Sequence, residues 1–247
     1  MVNSQRTMPT CDRFFAIIIN VSNDIRRVKR TKSEAQASYD RLSRWYDLLS
    51  GSLEARPRQA GLQLLNALPG EKVLDIGPGT GHSLAFLAGA VGPRGQVQAL
   101  DLSPGMLAVS RGLLQKTGGC ANVSLTCGDA LCLPYPRGAF DAIFSSFNLE
   151  LFDTPEIPQV LEECRRVLLP GKSTRQGGRI CVVSLSRSGK SQAMIKLYEW
   201  SHDRFPAFID CRPIYVQPSL EQAGFHILAV QYQGMWGLPV EIVLAQT

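Results

Sequence analysis

Three aspartates stand where a carboxylate can do recognition chemistry. Asp75, Asp101 and Asp129 lie at the C-terminal ends of three runs of strand-forming residues. The first run, Val73–Ile76, leads into Gly77-Pro78-Gly79-Thr80-Gly81, a turn with three glycines in five positions. Such a turn lets a ligand come close to the backbone. A dinucleotide fingerprint of the form G-x-G-x-x-G is not met, because position 82 is His. Asp75 beside the turn repels a phosphate, but it can orient an ammonium group, directly or through water.

A ligand with an amino-acid end and a nucleoside end suits this arrangement, and S-adenosylmethionine is one. Asp101 follows Val97-Gln98-Ala99-Leu100 and comes 20 residues after Gly81. An acid at that place accepts hydrogen bonds from ribose hydroxyls. Asp129 ends a third run and can accept from the adenine amino group. Met106, just inside the next helix, can pack its soft side chain on the adenine face. Gly77, Gly79, Thr80, Gly81, Leu102, Ala130 and Ser146 complete the expected cofactor contacts.

These pieces in this order resemble the class I S-adenosylmethionine-dependent methyltransferases, from about Tyr39 to the C-terminus. Within the class the chain is similar to the ubiquinone/menaquinone C-methyltransferase branch. Tyr46-Asp47, Asp101-Leu102-Ser103-Pro104-Gly105-Met106-Leu107, Gly128-Asp129-Ala130 and Leu133-Pro134-Tyr135-Pro136 carry the likeness. Phe140-Asp141-Ala142 and Arg166-Val167-Leu168-Leu169-Pro170-Gly171 extend it. Two features depart from the branch: Lys172 to Gln176 separate Gly171 from Gly177-Gly178, and the region after Arg187 matches poorly. The resemblance implies a Rossmann-like α/β fold, with a mostly parallel seven-stranded sheet, helices on both faces and an N-terminal helical lid. It implies methyl transfer to a small acceptor, with a quinone precursor as the leading example and an amine or phospholipid headgroup as the second.

Methyl transfer from a sulfonium is an in-line displacement that needs alignment, exclusion of water and a nucleophilic acceptor. A phenolic acceptor also needs a base. His82, Tyr46 and His202 are the candidates for catalysis. For His82 a helix-start or cofactor-backbone contact is favoured over a base. Asn148 and Glu150 follow the fourth strand; Glu150 is either acceptor-facing or a solvated loop acid. Trp236 is expected to fill core.

Strands are expected at Phe140–Ser145, Arg179–Leu185, Phe225–Tyr232 and Val240–Leu244. Helices are expected at Ser33–Ser50, Leu53–Leu68, Pro104–Lys116 and Glu156–Leu168, with a helical pattern at Gly189–Arg204. Alternating strands and helices imply a mostly parallel sheet. The domains read as a basic extension over 1–32 and a methyltransferase domain over 33–247. The latter divides into a lid (33–70), a cofactor-binding core (71–186) and an acceptor-site region with the final strands (187–247).

Hydrophobic content of 45% and charged content of 19% fit a soluble globular protein. No apolar run approaches the roughly 20 residues of a membrane span. The net charge of +5 resides in residues 1–32, where seven Lys/Arg face Asp12 and Asp24. The rest of the chain is neutral and offers no nucleic-acid footprint. The basic segment can touch an anionic membrane surface or direct the chain to an organelle, on an otherwise cytoplasmic protein. Seven scattered cysteines without a C-x-x-C pair fit reduced thiols and no metal site. Cys127 and Cys132 are expected to be small buried hydrophobes. A nicotinamide oxidoreductase and a non-catalytic, methyltransferase-like assembly factor are the competing classes.

Overall fold

A computed structural model of the chain describes residues 52–117, 121–171, 177–188, 212–235 and 237–247, together with Glu34, Gln36, Ala37 and Asp40. The elements in chain order are α1 (Ser52–Leu65), β1 (Lys72–Ile76), α2 (His82–Val91), β2 (Gln96–Asp101), α3 (Pro104–Lys116) and β3 (Val123–Cys127). There follow β4 (Ala142–Ser146), a 3-10 turn (Leu149–Leu151), α4 (Ile157–Val167), β5 (Arg179–Leu185), α5 (Val216–Gln222), β6 (His226–Met235) and β7 (Leu238–Gln246).

One seven-stranded sheet runs in the order β3-β2-β1-β4-β5-β7-β6. Alternate residues of its strands feed two cores. Leu74, Ile76, Ile143, Ile180 and Val182 pack with α4 and α5. Val73, Phe144, Cys181 and Val183 pack with α1 and α2. That is the period-two signature of strands covered on both faces. Gly61 brings α1 close: a Cβ there would stand 2.4 Å from Val183 Cγ2.

The sheet is mixed, which corrects the expectation of a mostly parallel one. Neighbouring pairs from β3 to β5 are parallel, but β5–β7 and β6–β7 are antiparallel. The reason is local. Met235 pairs with Leu238, so only two residues join β6 to β7. A link that short makes a hairpin, whereas parallel strands need a long crossover.

Most expected elements stand near their predicted bounds, and α3 and β5 match theirs. Pro104 opens α3, and Ser103 Oγ accepts from the Met106 N–H at 3.1 Å. Helix α5 was missed. Pro218 and the lack of a capping side chain hide it. Its first N–H groups, at Val216 and Gln217, are met instead by the buried carboxylate of Glu241 on β7. Glu34, Gln36, Ala37 and Asp40 are helical, while the rest of the helix expected at Ser33–Ser50 and the Gly189–Arg204 segment fall outside the described residues. So does the extension over 1–32. Among the described residues no helix is long and apolar enough to cross a membrane. Cys127 and Cys132 are exposed, contrary to expectation: Cys127 is the last residue of β3, an edge strand, and Cys132 lies in the segment after it.

Arg179, the first residue of β5, ties the sheet to the end of α1. It forms a forked pair with Glu71 at 2.8 Å and donates to the Leu65 and Asn66 carbonyls at 2.8 Å. Those carbonyls have no partner within the helix. Arg179→Ala is expected to cost about 2 kcal/mol, or roughly 4–8 °C in thermal midpoint. Calorimetric melting checks this, and a shift under about 1 °C contradicts it.

Candidate functional site

The C-terminal tips of β1, β2, β3 and β4 open on a cavity of about 290 Å³. Side-by-side strand tips of a doubly wound sheet are where ligands bind. Its floor is the glycine turn. Gly77, Gly79 and Gly81 have φ of +69°, +57° and +90°, a region that other residues avoid. At Gly77 space decides as well: a Cβ would stand 2.4 Å from the Asn148 amide.

Hydrogen bonds hold the turn in shape. Gly77 N–H donates to Leu100 O at 2.8 Å, and Ser110 Oγ donates to Gly79 O at 2.7 Å. Asp101 bridges two segments: its Oδ2 accepts from Gly79 N–H at 3.2 Å and its Oδ1 from Ser103 N–H at 2.9 Å. Asp40 accepts from Ser103 Oγ and, at 2.9 Å, from Gly105 N–H, so this side chain helps cap α3. Asp129 Oδ1 accepts from Leu131 N–H at 2.9 Å.

Burial shifts two of these acids. It pushes Asp75, which is 1% exposed, up to about 7, against the hydrogen bond from Ser83 Oγ and the nearby Arg58. It pushes Asp101 up to about 6, against the N–H donors of Ser103 and Gly79 and with help from Asp40. Both ask for a ligand that stabilises the ionised carboxylate.

Ten of the eleven expected cofactor contacts line this cavity: Asp75, Gly77, Gly79, Thr80, Asp101, Leu102, Met106, Asp129, Ala130 and Ser146. Gly81 shapes the turn without reaching the wall, and a Cβ there would lie 3.0 Å from Ser110. His82 is exposed at the first position of α2 and does not line the cavity. Tyr46, His202 and Trp236 lie outside the described residues. Asn148 is in the wall. Glu150 is neither acceptor-facing nor solvated: it is 0% exposed, turned against β5, with Oε1 accepting from Leu185 N–H at 3.4 Å. Burial pushes its carboxyl up to about 7, against hydrogen bonds from its own N–H, Ser184 and Leu185.

Several wall residues were not foreseen. Glu54 and Arg58 reach in from α1, and Phe147, Phe152, Asp153 and Glu156 from the segment after β4. Phe147 holds φ at +52°, strained for a bulky side chain, and donates its N–H to Val183 O at 2.8 Å. Arg212 braces the next stretch by donating to Thr154 Oγ1 at 2.8 Å and to the Phe152 carbonyl. Glu54 and Arg58 read in sequence as an ordinary i,i+4 helix pair, and only the placement of α1 turns them inward.

Residues 73–171 match a family described as a methyltransferase domain. Over those residues the chain is similar to methyltransferase domains. It is 32% identical over 173 residues to the ubiquinone/menaquinone biosynthesis C-methyltransferase UbiE of Teredinibacter turnerae, covering 70% of this chain and 65% of that protein. It is 35% identical over 148 residues to the demethylmenaquinone methyltransferase of Geobacillus kaustophilus, covering 60% and 61%. The chain thus spans just under two thirds of the length of these relatives. The chain also shares its fold with a SAM-dependent methyltransferase of Aquifex aeolicus (TM-score 0.55, 21% identity, 77% of this chain and 89% of that one). The [4+2]-cyclase SpnF is similar as well (TM-score 0.68, 18% identity, 88% and 97%).

The wall fits S-adenosylmethionine, the ligand expected from the sequence. Gly79 lines it with nothing within 4 Å of where a Cβ would be, leaving space above the turn. Ser146 Oγ is buried in it without a hydrogen-bond partner among the described residues. An orphaned hydroxyl beside an open turn is what a polar ligand satisfies.

Proposed function

We propose that this chain is an S-adenosylmethionine-dependent methyltransferase acting on a small apolar or aromatic acceptor, with a quinone precursor as the leading example. One observation carries the reading: Asp75, Asp101 and Asp129, at three neighbouring strand tips, share one cavity above a positive-φ glycine turn. The bound cofactor supplies an electrophilic methyl group on a sulfonium. In this reading Asp75 holds its ammonium, Asp101 the ribose hydroxyls and Asp129 the adenine amino group. Met106 and Leu102 pack on the purine, Ser146 gives a hydroxyl, and the turn from Gly77 to Gly81 admits the ligand to the backbone. Phe147, Leu151 and Phe152 keep water from the transfer line. Tyr46 and His202 keep their place as candidates for handling the acceptor's proton; His82, exposed at the start of α2, lies outside the cavity wall. Residues 33–70 serve as lid, 71–186 as cofactor core and 187–247 as acceptor region with the final strands.

Glu54, Asp153 and Glu156 in the same wall favour a second reading, N-methylation of an amine, since acids attract a cationic acceptor. Incubation of the full chain with methyl-labelled S-adenosylmethionine and a panel of acceptors separates the two. Label in a short-chain demethylated naphthoquinol supports the first reading, and label in amines alone supports the second. No label in any acceptor, nor in a metabolite extract, refutes both.

A further inference from the structure

The order of the sheet places the acceptor. On the reading above, the purine end of the cofactor lies at β3 and its amino-acid end at β1, and the next strand beyond β1 is β4. The acceptor therefore meets the methyl group where the tips of β1 and β4 adjoin. Asn148, two residues past the end of β4, stands at that junction. It lines the cavity, and a Cβ on Gly77 would strike its Cγ and Oδ1. The amide oxygen thus rests on the glycine turn, and the amide nitrogen lies farther from it. We propose that the Asn148 side chain binds the acceptor: its NH2 group donates a hydrogen bond to the oxygen of a phenol-type acceptor and sets the reacting carbon in line with the methyl group. This rests on the quinone-precursor reading above and names the residue that recognises the acceptor.

Among the described residues the Asn148 side chain forms no hydrogen bond, whereas its backbone carbonyl accepts from Leu151 N–H at 3.0 Å. The backbone is held and the amide is left to a ligand. Phe147, the residue before it, keeps a φ of +52° and is tied to β5 through Val183 O at 2.8 Å. Strain of that kind in a bulky residue persists where the surroundings use it, and here it leads the chain to set Asn148 over Gly77. The rest of the wall makes a neutral donor valuable. Its six carboxylates, Glu54, Asp75, Asp101, Asp129, Asp153 and Glu156, repel an acceptor oxygen that bears charge. A fixed N–H steadies that charge. In a phenolate acceptor the oxygen feeds electrons to the ring carbon, the carbon–carbon bond forms as the methyl–sulfur bond breaks, and loss of the ring proton restores the phenolate. One proton leaves for each methyl group transferred, and Asn148 holds the oxygen without exchanging a proton. An ammonium offers the NH2 group no lone pair, so Asn148 selects oxygen over a protonated amine.

Methyl transfer by the full chain from labelled S-adenosylmethionine to a short-chain demethylated naphthoquinol tests this, alongside calorimetric titration with S-adenosylhomocysteine. Asn148→Ala is expected to lower kcat/KM for the naphthoquinol by about ten- to a hundredfold, the range of one hydrogen bond to a charged group. Its affinity for S-adenosylhomocysteine should stay within about threefold, because the loss falls on the acceptor alone. Asn148→Asp keeps the size of the side chain and its packing on Gly77 but, once ionised, has no donor, so it should lose at least as much turnover. If Asn148→Asp works as well as wild type, no donor is needed and the proposal is overturned. The same follows if Asn148→Ala keeps kcat/KM within about threefold of wild type. It follows too if that variant loses S-adenosylhomocysteine as steeply as it loses turnover, since the side chain then only supports the turn. A wild-type chain that leaves the naphthoquinol unlabelled removes the quinone-precursor reading, and this proposal with it, whatever the variants do.

Discussion

Asp101→Ala is expected to lose S-adenosylhomocysteine affinity by at least about a hundredfold, since charge-assisted hydrogen bonds contribute about 1.5–3 kcal/mol each. Two losses combine. The ribose hydroxyls lose their acceptor, and Gly79 N–H loses the carboxylate that holds the turn in place. Folding should respond differently. Asp101 is held above its usual range by burial, so removing it relieves desolvation while sacrificing the Ser103 and Gly79 contacts. The melting temperature without ligand is therefore expected to move little. Asp101→Asn is instructive, because the N–H groups of Ser103, Gly79 and Leu102 that this side chain accepts from are all donors. An amide nitrogen turned toward any of them leaves two donors facing each other, so the isosteric variant should also bind poorly. Calorimetric titration of both variants checks this. Binding within about threefold of wild type by Asp101→Ala would sink the assignment of Asp101 to the sugar, given the magnitudes above.

How much of this was legible in the sequence follows from how local each feature is. The glycine turn, the three aspartates and α3 were readable because their causes lie within a few residues. A proline at the first turn, a serine cap and a strand ending in an acid need no partner from afar. The position of β7 between β5 and β6 was not readable as such, since it depends on which distant edge the hairpin joins. Helix α5 escaped for the same reason: the Glu241 carboxylate that meets its N–H groups lies on another element. The acids of α1 and of the segment after β4 carry no local signal of a site. They face the cavity because α1 packs across the sheet through Gly61 and because Arg212, far along the chain, holds the loop after Phe152. Glu150 shows the limit of pattern reading. Its neighbours Leu149 and Leu151 sit in a single 3-10 turn, and that turn rotates the acid into the core.

The largest effect on stability is expected at Asp75, with the opposite sign to its effect on binding. Asp75 is 1% exposed, and burial lifts its carboxyl to about 7 from an ordinary 3.8. A raised folded-state value in an acid means that the native chain holds the proton more tightly than the unfolded one. Stability from this group is therefore complete below about pH 4 and is lost as pH rises toward 7, above which the loss is constant. Asp75→Asn never ionises. Its advantage over wild type is thus absent near pH 4, grows between pH 4 and 7, and levels off on the order of 4 kcal/mol by pH 8. That corresponds to roughly 8–16 °C in thermal midpoint for a chain of this size. The same variant should bind S-adenosylhomocysteine about ten- to a hundredfold more weakly, because a neutral amide cannot pair with an ammonium as a carboxylate does. Wild-type protein shows the other side of this linkage. Ligand binding needs the ionised form, so at pH 6.5 binding should release protons, visible as a buffer-dependent heat. A residue that weakens the fold by ionising is tolerated where the ionised form has work to do, the familiar opposition of stability and function at a site. If Asp75→Asn melts lower than wild type at pH 8 and binds S-adenosylhomocysteine equally well, Asp75 is an ordinary core acid and the ammonium assignment is wrong.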